Sequence, residues 1–110
     1  MSERTGGVQD VGIEELKSGL RDGTITLVDV REPNEFAAGA IPGSVSMPLS
    51  SFDPASLPGS GRVVFSCAAG VRSARVVEYL QAEGLPFREH FAPGFKGWLA
   101  AGEPAELERS

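Results

Sequence analysis

This chain of 110 residues is poor in groups that often carry chemistry: it has one cysteine and one histidine, and its 10 basic residues are outnumbered by 15 acidic ones. A single cysteine excludes an internal disulfide, so nothing here calls for an oxidising compartment. No stretch approaches the ~20 apolar residues of a membrane span. The opening MSERTGGVQD is polar and lacks the apolar run of a signal peptide. A cytoplasmic protein with no membrane partner is the expectation. The net charge of −5 also argues against a nucleic-acid partner, because phosphate backbones need a basic surface. The carboxylates are spread out, with mild clusters at Glu14 and Glu15 and between Glu103 and Glu108, and they read as solvated surface. Any anion-binding site must therefore be local.

Internal repeats and low-complexity linkers are absent too, and the length suits one domain. A chain of this size buries about two-thirds of its unfolded surface, enough for a core without staples. IEELKSGLRDG places Ile13, Leu16 and Leu20 at helical spacing and stops at Asp22-Gly23. TLVDV (26–30) and RVVFS (62–66) read as buried strands. Between them, EPNEFAAG predicts a short helix with Pro33 in its first turn and Gly39 at its end. IPGSVSMPL predicts a bend followed by a short extended piece around Val45, and PASLPGSG a turn region with at most one helical turn. From about Arg72, residues Ala74, Val77, Tyr79 and Leu80 predict a helix ended by Gly84. LPFREHFA then suggests a strand and FKGWLAAGEP a last short helix. Strands alternating with helices imply an α/β fold with a mainly parallel sheet covered on both faces.

The one cysteine lies in CAAGVRS, Cys67 to Ser73, between a buried strand and a helix. Ligands of open α/β sheets bind beyond the carboxyl ends of strands, at such loops. Gly70 permits a positive φ, so the loop can turn successive N–H groups inward as an anion cradle. The following helix adds its positive end, and Arg72 a permanent charge. Such surroundings favour a thiolate. An ordinary thiol, with a pKa of about 8.5, is only a few per cent ionised near neutrality. Lowering that value by two units takes roughly 2.7 kcal/mol. Hydrogen bonds to a charged group contribute roughly 1.5–3 kcal/mol each, so a few amides suffice. Cysteine-dependent phosphatases place one residue more between cysteine and arginine; here four residues separate Cys67 from Arg72. The missing residue removes up to ~3.3–3.6 Å of contour from the ring. The cradle is thereby predicted to suit a sulfur substituent on the cysteine rather than a phosphate.

LVDVREPNEFAAGAIPGSVSMPL (27–49), VVFSCAAGVRSA (63–74) and PGFKGW (93–98) together resemble a rhodanese-like domain. The resemblance spans residues 8–103 as a single domain and leaves 1–7 and 104–110 as short polar tails. It implies a rhodanese-like α/β fold with a five-stranded, mainly parallel sheet and helices on both faces. It also implies a sulfurtransferase that moves sulfane sulfur from thiosulfate or a similar donor to cyanide or a thiol through a Cys67 persulfide. A sulfur-accepting protein is a further acceptor of that kind. No metal and no organic cofactor is implied. Amides of the loop formed by Ala68, Ala69, Gly70, Val71 and Arg72 would stabilise the thiolate and the persulfide, and Arg72 would orient the anionic donor. The alternatives are a non-catalytic rhodanese-like binding module and a phosphatase or arsenate reductase. The four-residue spacing and the single cysteine oppose the last two.

The remaining polar residues read mainly as supporting. Ser73 is expected in the helix's first turn, and Asp29 and Arg31 are expected to tie a strand end to its neighbours, with Glu35 a partner for an arginine. Arg75 either extends a positive rim or pairs with a carboxylate such as Glu78. Trp98, Phe95 and Phe36 read as core or pocket wall. His90, alone in a strand-like run, reads as a surface or structural histidine. Ala40 stands where many rhodanese-like domains carry a histidine, and Ala68 and Ala69 are neutral where thiosulfate-preferring members often carry a basic residue.

Overall fold

RVVFS forms a strand whose last four residues are all buried, and the fold is arranged around it. The computed structural model describes residues 7–59 and 61–107. The elements run β1 (Gln9–Val11), α1 (Ile13–Asp22), β2 (Ile25–Asp29), α2 (Pro33–Ala38), β3 (Val45–Ser46), β4 (Arg62–Ser66), α3 (Val71–Ala82), β5 (Glu89–Phe91) and α4 (Gly94–Ala100). Short 3-10 turns at Leu49–Ser51 and Pro54–Ser56 bridge β3 to β4. The five strands form one parallel sheet in the order β1-β5-β4-β2-β3, so β4 is central.

The β-branched strands face two ways because successive side chains alternate across a sheet. Leu27 and Val64 point into a layer with Leu16 of α1 and Trp98 of α4. Val28, Val63 and Phe65 point into the opposite layer with Val76, Val77 and Leu80 of α3. Phe65 anchors that second layer through edge-on contacts with Phe52 and Phe87 at 6.4 and 5.7 Å between ring centroids. Cys67 belongs to the same layer, one residue beyond the end of β4.

Most boundaries follow local chemistry. α1 closes on Gly23, whose φ of 73° suits glycine. α2 begins at Pro33, where the missing N–H costs nothing. Two features escape the sequence pattern. β1 is three residues long, too short to show a period, and the turn at Leu49–Ser51 has no helical pattern of its own. Tyr79, grouped by spacing with the helix's apolar residues, is 50% exposed; Val76 takes the buried position beside Val77 and Leu80. Among the described residues no helix is long and apolar enough to cross a membrane.

Candidate active site

Cys67 is 1% exposed and its sulfur sits inside its own loop. Sγ accepts the N–H of Gly70 at 3.1 Å and of Ser73 at 3.3 Å, with Ser73 Oγ 3.5 Å away. Burial pushes the thiol up. The Ser73 hydroxyl and N–H, with the N–H groups of Ala69 and Gly70, outweigh that cost and leave the pKa below its ordinary value. Amides from Ala68 to Arg72 were the expected donors. The close ones come from Gly70 and Ser73, so the cradle reaches one residue further into α3 than the loop itself. Ala69 and Val71 are exposed at its rim and Ala68 is half-buried.

The loop holds this shape through α4. Phe95 N–H donates to the carbonyl of Cys67 at 2.8 Å, and Lys96 N–H to that of Ala68 at 2.9 Å. In a trans peptide the carbonyl and the next N–H point in opposite directions, so anchoring the Ala68 carbonyl on α4 aims the Ala69 amide away from it. Two glycines permit the contact. A Cβ on Gly70 would lie 2.5 Å from the Ala92 carbonyl oxygen, and one on Gly94 would lie 2.5 Å from that of Ala68. Both have positive φ, 90° and 67°. The part played by Gly94, Phe95 and Lys96 was not read from the sequence, because a backbone donor leaves no residue-type signal.

Arg72 does not stand unpaired over the sulfur. Its guanidinium makes two bonds to the Glu35 carboxylate, at 2.8 and 3.0 Å, and this pulls Glu35 down to about 2. Asp29 and Arg31 form a separate pair, 3% and 4% exposed. Arg31 bonds both Asp29 oxygens and the Gly39 carbonyl, and stacks 4.5 Å from the Phe95 ring centroid. Asp29 lies in register with Ser66, so this pair braces the strand end next to Cys67. Ala40 is buried and exchanges two backbone bonds with Glu106. Trp98 packs on Phe91 in the core and donates its indole N–H to Pro104. Beside Arg72 opens a groove of about 320 Å³ lined by Leu49, Phe52, Arg75, Val76 and Tyr79.

His90 is 5% exposed, so it is no surface residue; its ring bonds Ser73 and Asp10. A polar residue inside a buried parallel strand was the available hint. Asp10 carried none, since the strand that places it opposite His90 was not legible.

Residues 12–101 match the family described as a rhodanese-like domain. The chain belongs to the rhodanese-like family. It is 35% identical over 105 residues to the mouse thiosulfate sulfurtransferase/rhodanese-like domain-containing protein 3, covering 81% of this chain and 67% of that one. It is 28% identical to human thiosulfate:glutathione sulfurtransferase, over 84% of this chain and 95% of the human one. An uncharacterized Synechocystis protein is 37% identical, but this chain spans only 46% of its length. Among solved structures, a rhodanese-related protein from Thermoplasma volcanium superposes with a TM-score of 0.78 at 30% identity, covering 91% of this chain and 99% of that one. As a rhodanese-like domain it has the expected five-stranded parallel sheet with helices on both faces, and relatives that include sulfurtransferases.

Proposed function

We propose that this rhodanese-like domain is a sulfurtransferase that carries sulfane sulfur on Cys67, from a thiosulfate-like donor to a thiol or cyanide acceptor. The observation that carries this reading is the sulfur of Cys67 held at 3.1 and 3.3 Å by two backbone amides at a strand end. The Cys67 thiolate attacks the outer sulfur of the donor, a new S–S bond forms, and sulfite leaves with the electrons of the broken one. The acceptor then attacks the outer sulfur of the persulfide and returns Cys67 as thiolate. This is covalent catalysis in two displacements. The same amides stabilise each anionic state without reorganising.

The four-residue spacing between Cys67 and Arg72 supports a sulfur atom as cargo. Arg72, fixed by Glu35, supplies charge at the rim for an anionic donor, with Asp29 and Arg31 supporting the strand end from below. The groove beside Arg72 gives a thiol with an apolar or anionic body a place to approach. The sulfurtransferase names of the mouse and human relatives favour the same chemistry.

Intact mass spectrometry after thiosulfate treatment tests the proposal. The expected result is a gain of one sulfur atom, absent in Cys67→Ser and lost on adding cyanide. If no sulfane donor gives an adduct, the domain is a binding module and the enzymatic reading is wrong.

A further inference from the structure

The cysteine cradle continues past Ser73. Ser73 is fully buried, and its Oγ lies 2.9 Å from Nδ1 of His90 in β5. The other ring nitrogen, Nε2, lies 3.0 Å from Oδ1 of Asp10 in β1. With Sγ 3.5 Å from Ser73 Oγ, four side chains from four parts of the fold form one line. It runs from Asp10, whose side chain is 73% exposed, inward to the sulfur.

The line has a chemical direction. An ionised carboxylate can only accept, so Asp10 keeps a proton on Nε2. A neutral His90 then presents a bare Nδ1, which accepts the Ser73 O–H at 2.9 Å in preference to the Gly70 carbonyl at 3.3 Å. Ser73 Oγ in turn is left to accept from the thiol. Every group in this arrangement is satisfied, and so is every group when the protons shift by one place.

We propose that His90 is the proton acceptor for Cys67, acting through the Ser73 hydroxyl, with Asp10 as the positioning residue that holds the ring's tautomer and stabilises its charged form. The S–H bond breaks and its electron pair stays on sulfur. The proton passes to Ser73 Oγ while the Ser73 proton passes to Nδ1. The products are a thiolate and an imidazolium, with no change in total charge and no further reactant. The imidazolium then stands one hydroxyl away from the thiolate and favours it electrostatically. The line follows the logic of a nucleophile, a base and a group that orients the base.

Among the described residues, the titratable groups facing His90 are few. β1 contributes Asp10, the end of β4 contributes Cys67, and α3 contributes the neutral Ser73. The adjacent Glu89 is turned to Arg62, bonded at 2.8 and 2.7 Å. A purely structural use of the same hydrogen bonds would hold the ring in place without coupling it to the thiol.

The inference rests on Cys67 being the nucleophile of the proposed sulfur transfer, but it can be read without any sulfur donor. The ultraviolet absorbance of the thiolate is followed against pH, with Cys67→Ser as background. His90→Asn keeps an acceptor near the Nδ1 position and cannot take up a proton. Its thiolate midpoint is expected to move up by about one unit, leaving roughly tenfold less thiolate on the acid side. Asp10→Asn, at an exposed position that puts folding at little risk, should shift the midpoint the same way by about twofold to threefold in thiolate. His90 is the only histidine, so its ring resonances need no assignment. They should shift at the pH where Cys67 ionises and change when Cys67 is alkylated. Superimposable profiles for the wild type and both variants, or a ring indifferent to alkylation, would overturn the relay. A wild type with this coupling that takes up no sulfur would overturn the sulfur-transfer reading and leave the relay standing.

Discussion

Glu35 decides where the charge of Arg72 sits. The two-pronged contact fixes a guanidinium that would otherwise sample many rotamers, at the cost of cancelling part of its charge. Both side chains are about one-third exposed, so solvent screens the pair, which contributes about 1 kcal/mol at most. Glu35 falls from its ordinary 4.5 to about 2, chiefly through its hydrogen bond with Arg72. A carboxylate with a lowered folded value stabilises above its ordinary value and loses that contribution as pH falls through the folded one. Glu35→Gln keeps the side-chain bond to the Glu32 N–H at the start of α2, since glutamine serves there too; it removes the charge and replaces the oxygen that accepts from Arg72 Nη2 with an amide donor. We expect unfolding curves of the variant and the wild type to differ by up to about 1 kcal/mol near neutrality and to converge between about pH 4.5 and about pH 2. Curves that stay equally far apart at every pH would show that the pair contributes nothing through charge. The buried Asp29–Arg31 pair is of another kind: removing either partner would strand a charge, at a cost of about 3–5 kcal/mol.

At the scale of elements, the site is a joint between the end of β4, the start of α3 and the start of α4. α4 holds the Cys67 loop through backbone amides, and Gly94 is the position that lets the two segments approach. In Gly94→Ala the new Cβ would meet the Ala68 carbonyl, which cannot swing aside without turning the Ala69 amide with it. Gly102 serves as the control, since its φ of 82° is equally unfavourable to alanine but open space surrounds it. Gly102→Ala should lose about 1 kcal/mol and keep full uptake of sulfur from thiosulfate. Gly94→Ala should lose more stability and also slow the uptake, read by mass against time. Equal uptake in the two variants would mean that α4 supports the loop without shaping it.

For the whole molecule, the central sheet separates two apolar layers that share few partners. Ile25→Val, in the layer of α1 and α4, should cost about 0.5–1.5 kcal/mol, and Leu80→Ala, in the layer of α3, about 2–5 kcal/mol. Substitutions far apart add, so the double variant should match the sum within about 0.5 kcal/mol in denaturant unfolding. A larger deviation would show that the sheet transmits strain from face to face. The same separation explains why the strands read so plainly in sequence: TLVDV and RVVFS are apolar on both sides because both sides are covered.

The sequence by itself determined the alternation of strands and helices, the family, and the candidate nucleophile. Each of these rests on residues close together in the chain: a buried β-branched run, a glycine with positive φ, and a cysteine one step past a strand. Only the tertiary structure decided what surrounds that cysteine. Glu35 reached Arg72 across 37 positions, Asp10 met His90 across 80, and α4 supplied amides that no residue type announces. The reason is physical. A parallel sheet pairs strands that are distant in sequence, and its register sets which side chains face one another. A local pattern specifies an element; the register of β1 against β5 joined Asp10 to His90, and the packing of α3 on β5 joined that buried histidine to Ser73 beside the cysteine.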